Sequence, residues 1–257
     1  MARVLVTGSS DGIGRQTARD LVAGGHRVLL HARSEERAEQ ARAAVPGAAD
    51  VLVGDLASFA STRALAETAS ALGRLDAVVH NAGVGSQDER RLTEDGHELV
   101  FQVNVLAPYL LTASVPAPRR LVHLTSGLQA QGGPHLDDLD FAGRPWNGMQ
   151  AYSDSKFWDV VLALAVARRW PGTLSNAVDP GWIKTRMGGA GATDELPAGA
   201  DTPVWLATSD DPEAQVTGRY LNRRRVREPH PAATDVDLQE RFLAAAARLT
   251  GVALPDA

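Results

Sequence analysis

The chain has 257 residues, 44% of them hydrophobic, so it can bury the core of one large domain or two small ones. Its formal net charge is −5, and outside Arg223–Arg225 it has no dense basic stretch, which argues against nucleic acid as a partner. That short run is interpreted as a solvated strand end or loop. The chain has no cysteine, which excludes disulfides, thiolate catalysis and cysteine-based metal sites.

Hydrophobic patterning bears on location. An apolar run that begins at Val4 predicts a strand and leaves no room for a signal peptide. No stretch approaches the ~18 apolar residues of a membrane span. We therefore expect a cytoplasmic protein with no membrane span. His123, His135 and His230 lack metal-ligand spacing with a nearby carboxylate pair, so no metal site is predicted.

Short apolar runs alternate with amphipathic ones along the chain. The predicted strands are Arg3–Thr7, Arg27–His31, Ala49–Gly54, Ala77–His80, Arg120–Leu124, Thr173–Val178 and Gly218–Asn222. The predicted helices are Gly14–Ala23, Glu35–Val45, Ser58–Leu72, Glu94–Thr112, Tyr152–Arg169 and Val236–Leu249. This α/β alternation predicts a parallel sheet with helices on both faces. No linker divides the chain, so we expect a single domain over 1–257, with a loosely ending C-terminal extension at about 223–257.

A glycine-rich segment joins the first predicted strand to the first helix. It reads Thr7-Gly8-Ser9-Ser10-Asp11-Gly12-Ile13-Gly14, with glycines in G-x-x-x-G-x-G spacing. A tight turn, close backbone approach and a helix N-terminus together form a pyrophosphate site. Glycine clusters alone usually mark a turn. Placement directly after an N-terminal strand favours a Rossmann-type, doubly wound nucleotide fold.

The end of the second predicted strand bears on which nucleotide binds. NAD(H) sites generally place an acid there to bind the ribose 2′-hydroxyl. Here the run is His31-Ala32-Arg33-Ser34, with no acid. Arg33 can pair with a 2′-phosphate, and Ser34 can add a hydroxyl. A lone arginine at a strand end is most often a surface residue, but the missing acid favours NADP(H) over NAD(H).

Tyr152 and Lys156 lie at the start of the long predicted helix Tyr152–Arg169. Their spacing of four places them on one helical face. A phenol has a reference pKa of about 10, and a nearby ammonium lowers it toward the range of a useful acid or base. Taken alone, this spacing is a common accident. It gains weight because the glycine loop and an upstream Ser126 accompany it.

These motifs, in this order, resemble those of the short-chain dehydrogenase/reductase family, in its short single-domain branch. The matching residues are Thr7–Gly14, Asp55-Leu56, Asn81-Ala82-Gly83, Asn104, Ser126, Tyr152, Lys156 and Pro180-Gly181, and they span roughly residues 3–222. Each motif is weak by itself, but their ordered coincidence is specific. Leu92–Asn104 and Asp137–Phe141 are similar to the retinol-dehydrogenase-like group, which often reduces hydrophobic aldehydes and ketones with NADPH.

The resemblance implies catalytic roles. Tyr152 would be the general acid in carbonyl reduction and the base in alcohol oxidation. Lys156 would bind the nicotinamide ribose and lower the pKa of Tyr152. Ser126 would hydrogen-bond the substrate oxygen, and Asn104 would hold a water that links Lys156 to solvent. The alternative for Asn104 is an amide that bonds within a kinked helix.

The resemblance also implies cofactor contacts. Asp55-Leu56 would contact adenine, although an aspartate after a strand is commonly just an N-cap. Asn81-Ala82-Gly83 would line the cleft behind the adenine ribose. Pro180-Gly181 begins a segment that would wrap the nicotinamide, with the Ile183 backbone and the Thr185 hydroxyl at its carboxamide.

Some positions depart from the family pattern or stand outside it. His80 replaces the usual asparagine and is expected to be a satisfied structural histidine. Leu106–Arg120 contains three prolines and looks short for the helix that commonly builds the family dimer, so a homo-oligomer is left open. Residues 187–203 occupy the place of the substrate lid and are expected to be mobile. Trp182 is a candidate wall of the substrate pocket, whereas Trp158 is expected in the core.

The leading hypothesis is an NADP(H)-dependent oxidoreductase that interconverts a small, hydrophobic ketone or aldehyde and its alcohol. Its predicted partner is that small molecule, with a homo-oligomer left open. One alternative is a non-catalytic NADP(H)-sensing regulator on the same fold, but such proteins typically lose the Tyr152/Lys156 pair. Another is a pathway enzyme that uses transient hydride transfer. Its sugar-nucleotide form needs a longer C-terminal domain than 257 residues leave room for.

Overall fold

The computed structural model describes residues 1–256, whose strands form one sheet in the order β3-β2-β1-β4-β5-β6-β7-β8. The strands are β1 Arg3–Val6, β2 Arg27–Ala32, β3 Asp50–Val53, β4 Ala77–His80, β5 Arg120–Leu124, β6 Leu174–Asp179, β7 Arg219–Asn222 and β8 Arg225–Arg227. From β3 to β7 every pairing is parallel, whereas β8 pairs antiparallel with β7. The predicted Rossmann-type parallel sheet is confirmed, and the short edge strand β8 is an addition to it.

Helices cover both faces of the sheet. They are α1 Gly12–Ala23, α2 Glu35–Ala44, α3 Phe59–Ala71, α4 Leu99–Phe101, α5 Ala107–Ser114, α6 Gly148–Arg169, α7 Leu196–Thr208 and α8 Val236–Thr250. One apolar cluster joins α1, α2 and α7 to one face, and a second joins α3, α5, α6 and α8 to the other. Along β4, Val78 belongs to one cluster while Ala77 and Val79 belong to the other. Apolar side chains on both sides are what a parallel sheet covered on two faces requires.

The predicted helix Glu94–Thr112 is wrong in its start and its form. The chain turns at Gly96, which has a φ of +84°, and the helix begins only at Leu99. The carboxylate of Glu98 accepts hydrogen bonds from the amides of Val100 and Phe101, at 3.0 and 2.9 Å. These bonds satisfy the first free amides of the helix and set its start.

Residues Gln102–Leu106 continue this helix as a π-helical turn before α5. Such turns widen the helix by one residue and occur frequently at functional sites. Helix α6 also differs from its prediction, because it begins one turn earlier, at Gly148, where Asn147 is the N-cap. Tyr152 and Lys156 therefore lie inside a formed helix rather than at its fraying end.

The C-terminal extension is packed rather than loose. Phe242 of α8 stacks on Trp158 of α6, with ring centres 4.8 Å apart, and the predicted core position of Trp158 is confirmed by its exposure of 1%. Tyr109 of α5 donates to the carbonyl of Val252 at 2.9 Å. The C-terminal segment thus contacts α5. Helix α5 lies within Leu106–Arg120, the segment that the sequence suggested is short for the family's dimer helix. No helix within residues 1–256 is long and apolar enough to cross a membrane.

Candidate active site

The loop between β1 and α1 has a backbone that favours glycine. Gly8 and Gly12 have φ angles of +62° and +54°, in the left-handed region that other residues rarely occupy. A Cβ atom on Gly14 would lie 2.5 Å from the carbonyl oxygen of Gly8 and would overlap the side-chain amide of Asn81. The three glycines therefore present bare backbone at the N-terminus of α1, which is the geometry that binds a pyrophosphate.

Asp11 completes this loop and gathers positive charge around it. Its carboxylate caps α1 by accepting the backbone amide of Gly12 at 2.8 Å. Arg15, Arg37 and Arg186 approach the same carboxylate at 3.5, 3.8 and 3.7 Å. Three cations beside a helix N-terminus create a region of positive potential that suits phosphate groups.

The end of β4 holds the glycine loop from behind. Asn81 donates from Nδ2 to the carbonyl oxygens of Thr7 and Gly8, at 2.8 and 3.2 Å. The backbone amides of Asn81 and Ala82 both donate to the Thr7 hydroxyl at 3.0 Å. A Cβ on Gly8 would lie 2.8 Å from the Cα of Ala82. Asn81 thus shapes the loop with its side chain.

His31 is a residue of this loop's surroundings that the sequence analysis did not single out. Its Nδ1 accepts from the Gly8 amide at 2.9 Å, so Nε2 carries the proton and donates to the Gly54 carbonyl at 2.8 Å. Burial lowers the pKa of His31, which keeps the ring neutral near neutrality. The signal that could have identified it is a histidine in an otherwise apolar strand directly before Ala32-Arg33.

Tyr152 and Lys156 lie next to each other on α6, beside the end of β5. The Lys156 ammonium lies 5.7 Å from the centre of the Tyr152 ring. Its Nζ donates to the Leu124 carbonyl at 3.0 Å and to Oδ2 of Asp159 at 2.7 Å. The Thr125 hydroxyl donates to the Lys156 carbonyl at 2.6 Å. The end of β5 therefore fixes both the helix and its lysine.

Asn104 lies in the π-helical turn and bridges two elements. Its Oδ1 accepts from the Val84 amide at 2.8 Å, and its Nδ2 donates to the Val84 carbonyl at 3.0 Å and to the Ser155 hydroxyl at 2.9 Å. Its side chain therefore fastens the segment after β4 to α6, one residue before Lys156. Both amide hydrogens are used in these bonds, and the role of holding a water stays a prediction.

Ser126 directly follows Thr125 at the end of β5. It is the N-cap of a short 3₁₀ helix, Gly127–Gln131, and its hydroxyl oxygen accepts from the Leu128 amide at 3.2 Å. Its hydroxyl proton is not used in that bond. The role of donating to a substrate oxygen is therefore compatible with the cap and stays a prediction.

A cleft of about 620 Å³ connects the glycine loop to Tyr152 and Lys156 of α6. The predicted site residues that line it are Gly8, Ser10, Asp11, Gly12, Ile13, Gly14, Arg33, Asp55, Leu56, Asn81, Ala82, Gly83, Tyr152, Lys156, Pro180 and Thr185. The predicted site residues outside this lining are Ser34, Asn104, Ser126, Gly181, Trp182 and Ile183. One concave surface thus brings together motifs that are far apart in the sequence.

The far end of the cleft carries two arginines. Arg33 follows β2 and is exposed, and Arg37 lies one turn into α2. Both side chains line the cleft. Ser34 is the N-cap of α2, where its hydroxyl oxygen accepts the Arg37 amide at 3.3 Å. Arg37 was missed by the sequence analysis, although its spacing of four from Arg33, across a predicted helix start, was the available signal.

Asp55 and Leu56 also line the cleft, after the neighbouring strand β3. Asp55 accepts the Ala57 amide at 2.9 Å within a turn, and the N-cap of α3 is Ser58. Leu56 is buried in the core. The alternative interpretation of Asp55 as a simple helix N-cap is therefore wrong, while its contact with adenine stays a prediction.

The predicted substrate lid is partly regular structure. Residues Leu196–Thr208 form α7, which packs against α1, so 187–195 is the part of the predicted lid outside this helix. Ile183 bridges to Asp194 across the base of the loop. The Cγ2 atom of Thr185 would lie 3.3 Å from a Cβ on Gly12, so this arm of the loop reaches the glycine loop.

Trp182 and Met187 occupy different positions on this loop. Trp182 is 55% exposed, donates from Nε1 to the Gly188 carbonyl at 2.9 Å and lies outside the cleft lining. Met187 lines the cleft, with its sulfur 3.9 Å from the Tyr152 hydroxyl. The side chain that faces the phenol is therefore Met187, which the sequence analysis had not proposed as a substrate contact.

Comparison with known proteins identifies the class of this chain. Residues 2–128 match the family model for short chain dehydrogenases. The chain is 43% identical to the short-chain dehydrogenase chyC of Penicillium rubens, over 99% of this chain and 100% of that protein. It is 35% identical to the putative daunorubicin C-13 ketoreductase DnrU of Streptomyces sp. (strain C5), over 96% of this chain and 92% of that one.

Two further matches extend this result. The chain is 31% identical to human retinol dehydrogenase 13, over 98% of this chain and 85% of that protein. A blue fluorescent protein from a metagenomic library, solved in complex with NADPH, superposes with a TM-score of 0.71 at 27% identity, over 86% of this chain and 95% of that one. The chain belongs to the short-chain dehydrogenase/reductase family of oxidoreductases.

Proposed function

We propose that this protein is an NADP(H)-dependent oxidoreductase that interconverts a small, hydrophobic ketone or aldehyde and its alcohol. The observation that carries the proposal is the cleft that joins the glycine loop to Tyr152 and Lys156. A chain that only sensed the nucleotide would not need a phenol and an ammonium at the end of that cleft. The ketoreductase and retinol dehydrogenase names of two relatives favour carbonyl chemistry.

The cleft fits a nicotinamide dinucleotide. Because Gly8, Gly12 and Gly14 have no side chains, the loop leaves room for a pyrophosphate. Arg33 and Arg37 face the cleft at its far end, where a 2′-phosphate would gain two cationic partners. At the end of β2, where NAD(H) sites place an acid that binds the ribose 2′-hydroxyl, this chain has Arg33. These features support NADP(H) over NAD(H).

The chain's own residues then have distinct tasks. When bound, the nicotinamide supplies or accepts the hydride. Tyr152 holds the proton that the carbonyl oxygen takes up, and Ser126 donates a second hydrogen bond that polarises this oxygen. Lys156 places a positive charge beside the phenol, which stabilises the phenolate left after proton transfer. Met187 covers the phenol with an adaptable apolar side chain, which suits a hydrophobic substrate.

The experiment is an assay of NADPH and NADH oxidation against a panel of aldehydes, ketones and quinones. We expect turnover with NADPH, and we expect Tyr152→Phe to lower kcat by about 10²–10⁴-fold with an almost unchanged Kd for NADPH, because the phenol oxygen moves the proton. Tight NADPH binding without any turnover would instead favour the regulator. Near-normal turnover by the phenylalanine variant would remove Tyr152 from the mechanism.

A further inference from the structure

The catalytic lysine has a buried acidic partner that the family motif does not include. Asp159 lies three residues after Lys156 on α6, and its Oδ2 accepts a hydrogen bond from Nζ at 2.7 Å. Lys156 is only 6% exposed and Asp159 only 3%. Burial of two charges is costly unless they are paired with good geometry, so the contact holds both side chains in one arrangement.

This pairing determines which way the ammonium can act. An ammonium has three hydrogen-bond donors. One goes to Asp159 and a second to the Leu124 carbonyl, at 2.7 and 3.0 Å. A third is left for the cleft, where a Cβ on Gly83 would lie 3.8 Å from Nζ. The carboxylate thus anchors Lys156 from the side away from the cleft.

The pair also changes the charge that Tyr152 experiences. Burial raises the pKa of Asp159 to about 6, against the opposing pull of Lys156, so the carboxylate is charged where a phenol ionises. Burial acts to lower the pKa of Lys156, but the charges of Asp159 and Tyr152 outweigh it and raise that pKa. Tyr152 therefore faces an ion pair, and an ion pair stabilises a phenolate less than a lone ammonium does.

Two buried histidines and two buried tyrosines on this side of the sheet are uncharged in the same pH range. They are His80, His123, Tyr109 and Tyr220. Burial lowers the pKa of His80 to about 3 and that of His123 well below its usual range. Burial also raises the pKa values of Tyr109 and Tyr220 to about 12. On α6 the other buried acid is Asp154, whose carboxylate is paired with Arg144 and not with Lys156.

We propose that Asp159 is a positioning residue that anchors the Lys156 ammonium and partly cancels the positive charge that Lys156 presents to Tyr152. The inference rests on the proposed function of Tyr152 as the proton-transfer group. Its physical content, the ionisation of one phenol, can nevertheless be measured without any substrate.

The measurement is a pH titration of phenolate absorbance on the intact, cofactor-free protein. The chain has three tyrosines, and burial raises the pKa values of Tyr109 and Tyr220 to about 12. The step that belongs to Tyr152 is identified by its absence in Tyr152→Phe. In Asp159→Asn we expect its midpoint to fall by about one pH unit, because a nearby negative charge is removed while a hydrogen-bond acceptor stays.

Asp154→Asn is the matched control. Asp154 lies on the same helix, but its carboxylate pairs with Arg144 at 3.0 Å rather than with Lys156. We expect this variant to leave the Tyr152 midpoint unchanged. If Asp159→Asn fails to fold, Asp159→Ser removes the same charge and must lower the midpoint too. An unchanged or raised midpoint in the folded variant overturns the inference, whether or not the wild-type protein reduces carbonyls.

Where turnover is found, the pH profile gives a second readout. The rise of kcat/KM for alcohol oxidation with pH reports the ionisation of the base in the free enzyme. We expect Asp159→Asn to move this rise to lower pH by the same amount as the phenolate midpoint. A loss of kcat with no movement of the profile would indicate a purely structural role and would contradict the proposal.

Discussion

The two ends of the cleft are built differently. At the nucleotide end, Gly8 and Gly12 hold the backbone at positive φ, and Asn81 and His31 fasten it with partly buried hydrogen bonds. At the substrate end, residues 187–195 form a loop whose internal bonds leave Met187 53% exposed. The backbone of the glycine loop is therefore confined to one conformation, whereas the substrate end depends on exposed side chains that can rearrange.

Gly14→Ala should break the nucleotide end and have the largest effect. A Cβ there would lie 2.5 Å from the Gly8 carbonyl and would overlap Asn81. We expect the loop to shift and the Kd for NADPH, measured by fluorescence titration, to rise by at least about 100-fold. Gly172→Ala is the control, because a Cβ there meets nothing within 4 Å. Equal NADPH affinity in both variants would refute the tight-loop argument.

Arg33→Ala and Arg37→Ala test the charge at the same end. Both side chains face the cleft, and we expect either variant to lower kcat/KM with NADPH by about 10–100-fold, since each removes a charge-assisted bond to the 2′-phosphate. Values with NADH should hardly change. Arg42→Ala, an exposed change near the end of α2, is the control. Parallel losses with both cofactors would show that these arginines support the fold rather than choose the nucleotide.

Met187→Ala tests whether the side chain beside the phenol selects the substrate. The thioether lies 3.9 Å from the Tyr152 hydroxyl, in the space that a carbonyl oxygen would approach. We expect kcat/KM to rise for bulky ketones and to fall for small aldehydes, each by about 3–10-fold. Removing the side chain opens space for a bulky substrate and takes about 1 kcal/mol of apolar contact from a small one. Trp182→Ala, outside the cleft lining, should leave this ranking unaltered. A uniform change across the panel would mean that Met187 does not select the substrate.

His97 gives the smallest expected effect and concerns the contact between the segment before α4 and Asp140. Its hydrogen bond to Asp140, at 3.0 Å, raises its pKa in the folded state. Folding therefore favours the protonated ring. The stabilisation is complete below the unfolded pKa of about 6.5 and is lost as pH rises through the raised folded value.

The pair is partly exposed, so the stabilisation is below about 1 kcal/mol after solvent screening. We expect His97→Gln to lower the free energy of urea unfolding at pH 6 and to have less effect at pH 9. Comparing the two differences cancels the loss of ring packing, which does not depend on pH. An equal loss at both values would show that the charge of His97 plays no part.

Much of the fold follows from short-range patterns. The predicted strands up to β7 and the helices α1, α2, α3, α6 and α8 all exist, with ends that differ by a few residues. The failures have identifiable causes. Gly96 and the capping carboxylate of Glu98 override helical periodicity before Leu99, and the π-helical turn has no periodic signal. Leu196–Thr208 looked like loop because Gly199 and Pro203 weaken helix propensity, yet packing against α1 stabilises it.

The candidate site divides in the same way. Motifs with local geometry, such as the glycine loop and the spacing of Tyr152 and Lys156, could be predicted because turn and helix geometry alone bring their atoms together. Asp159 and Met187 could not be singled out. Asp159 is one of two acids on the helix, and only the packing of α6 against β5 shows that it is buried against Lys156.

The sequence by itself determined the family, the parallel sheet and the residues that carry the proposed chemistry, because backbone strain and helical period act within a few residues. The tertiary structure alone decided which charges surround Asp11, which side chain covers the phenol and which carboxylate meets Lys156. These are contacts between distant segments or between buried side chains. Their energies depend on desolvation and distance, which exist only once the sheet and its helices are packed.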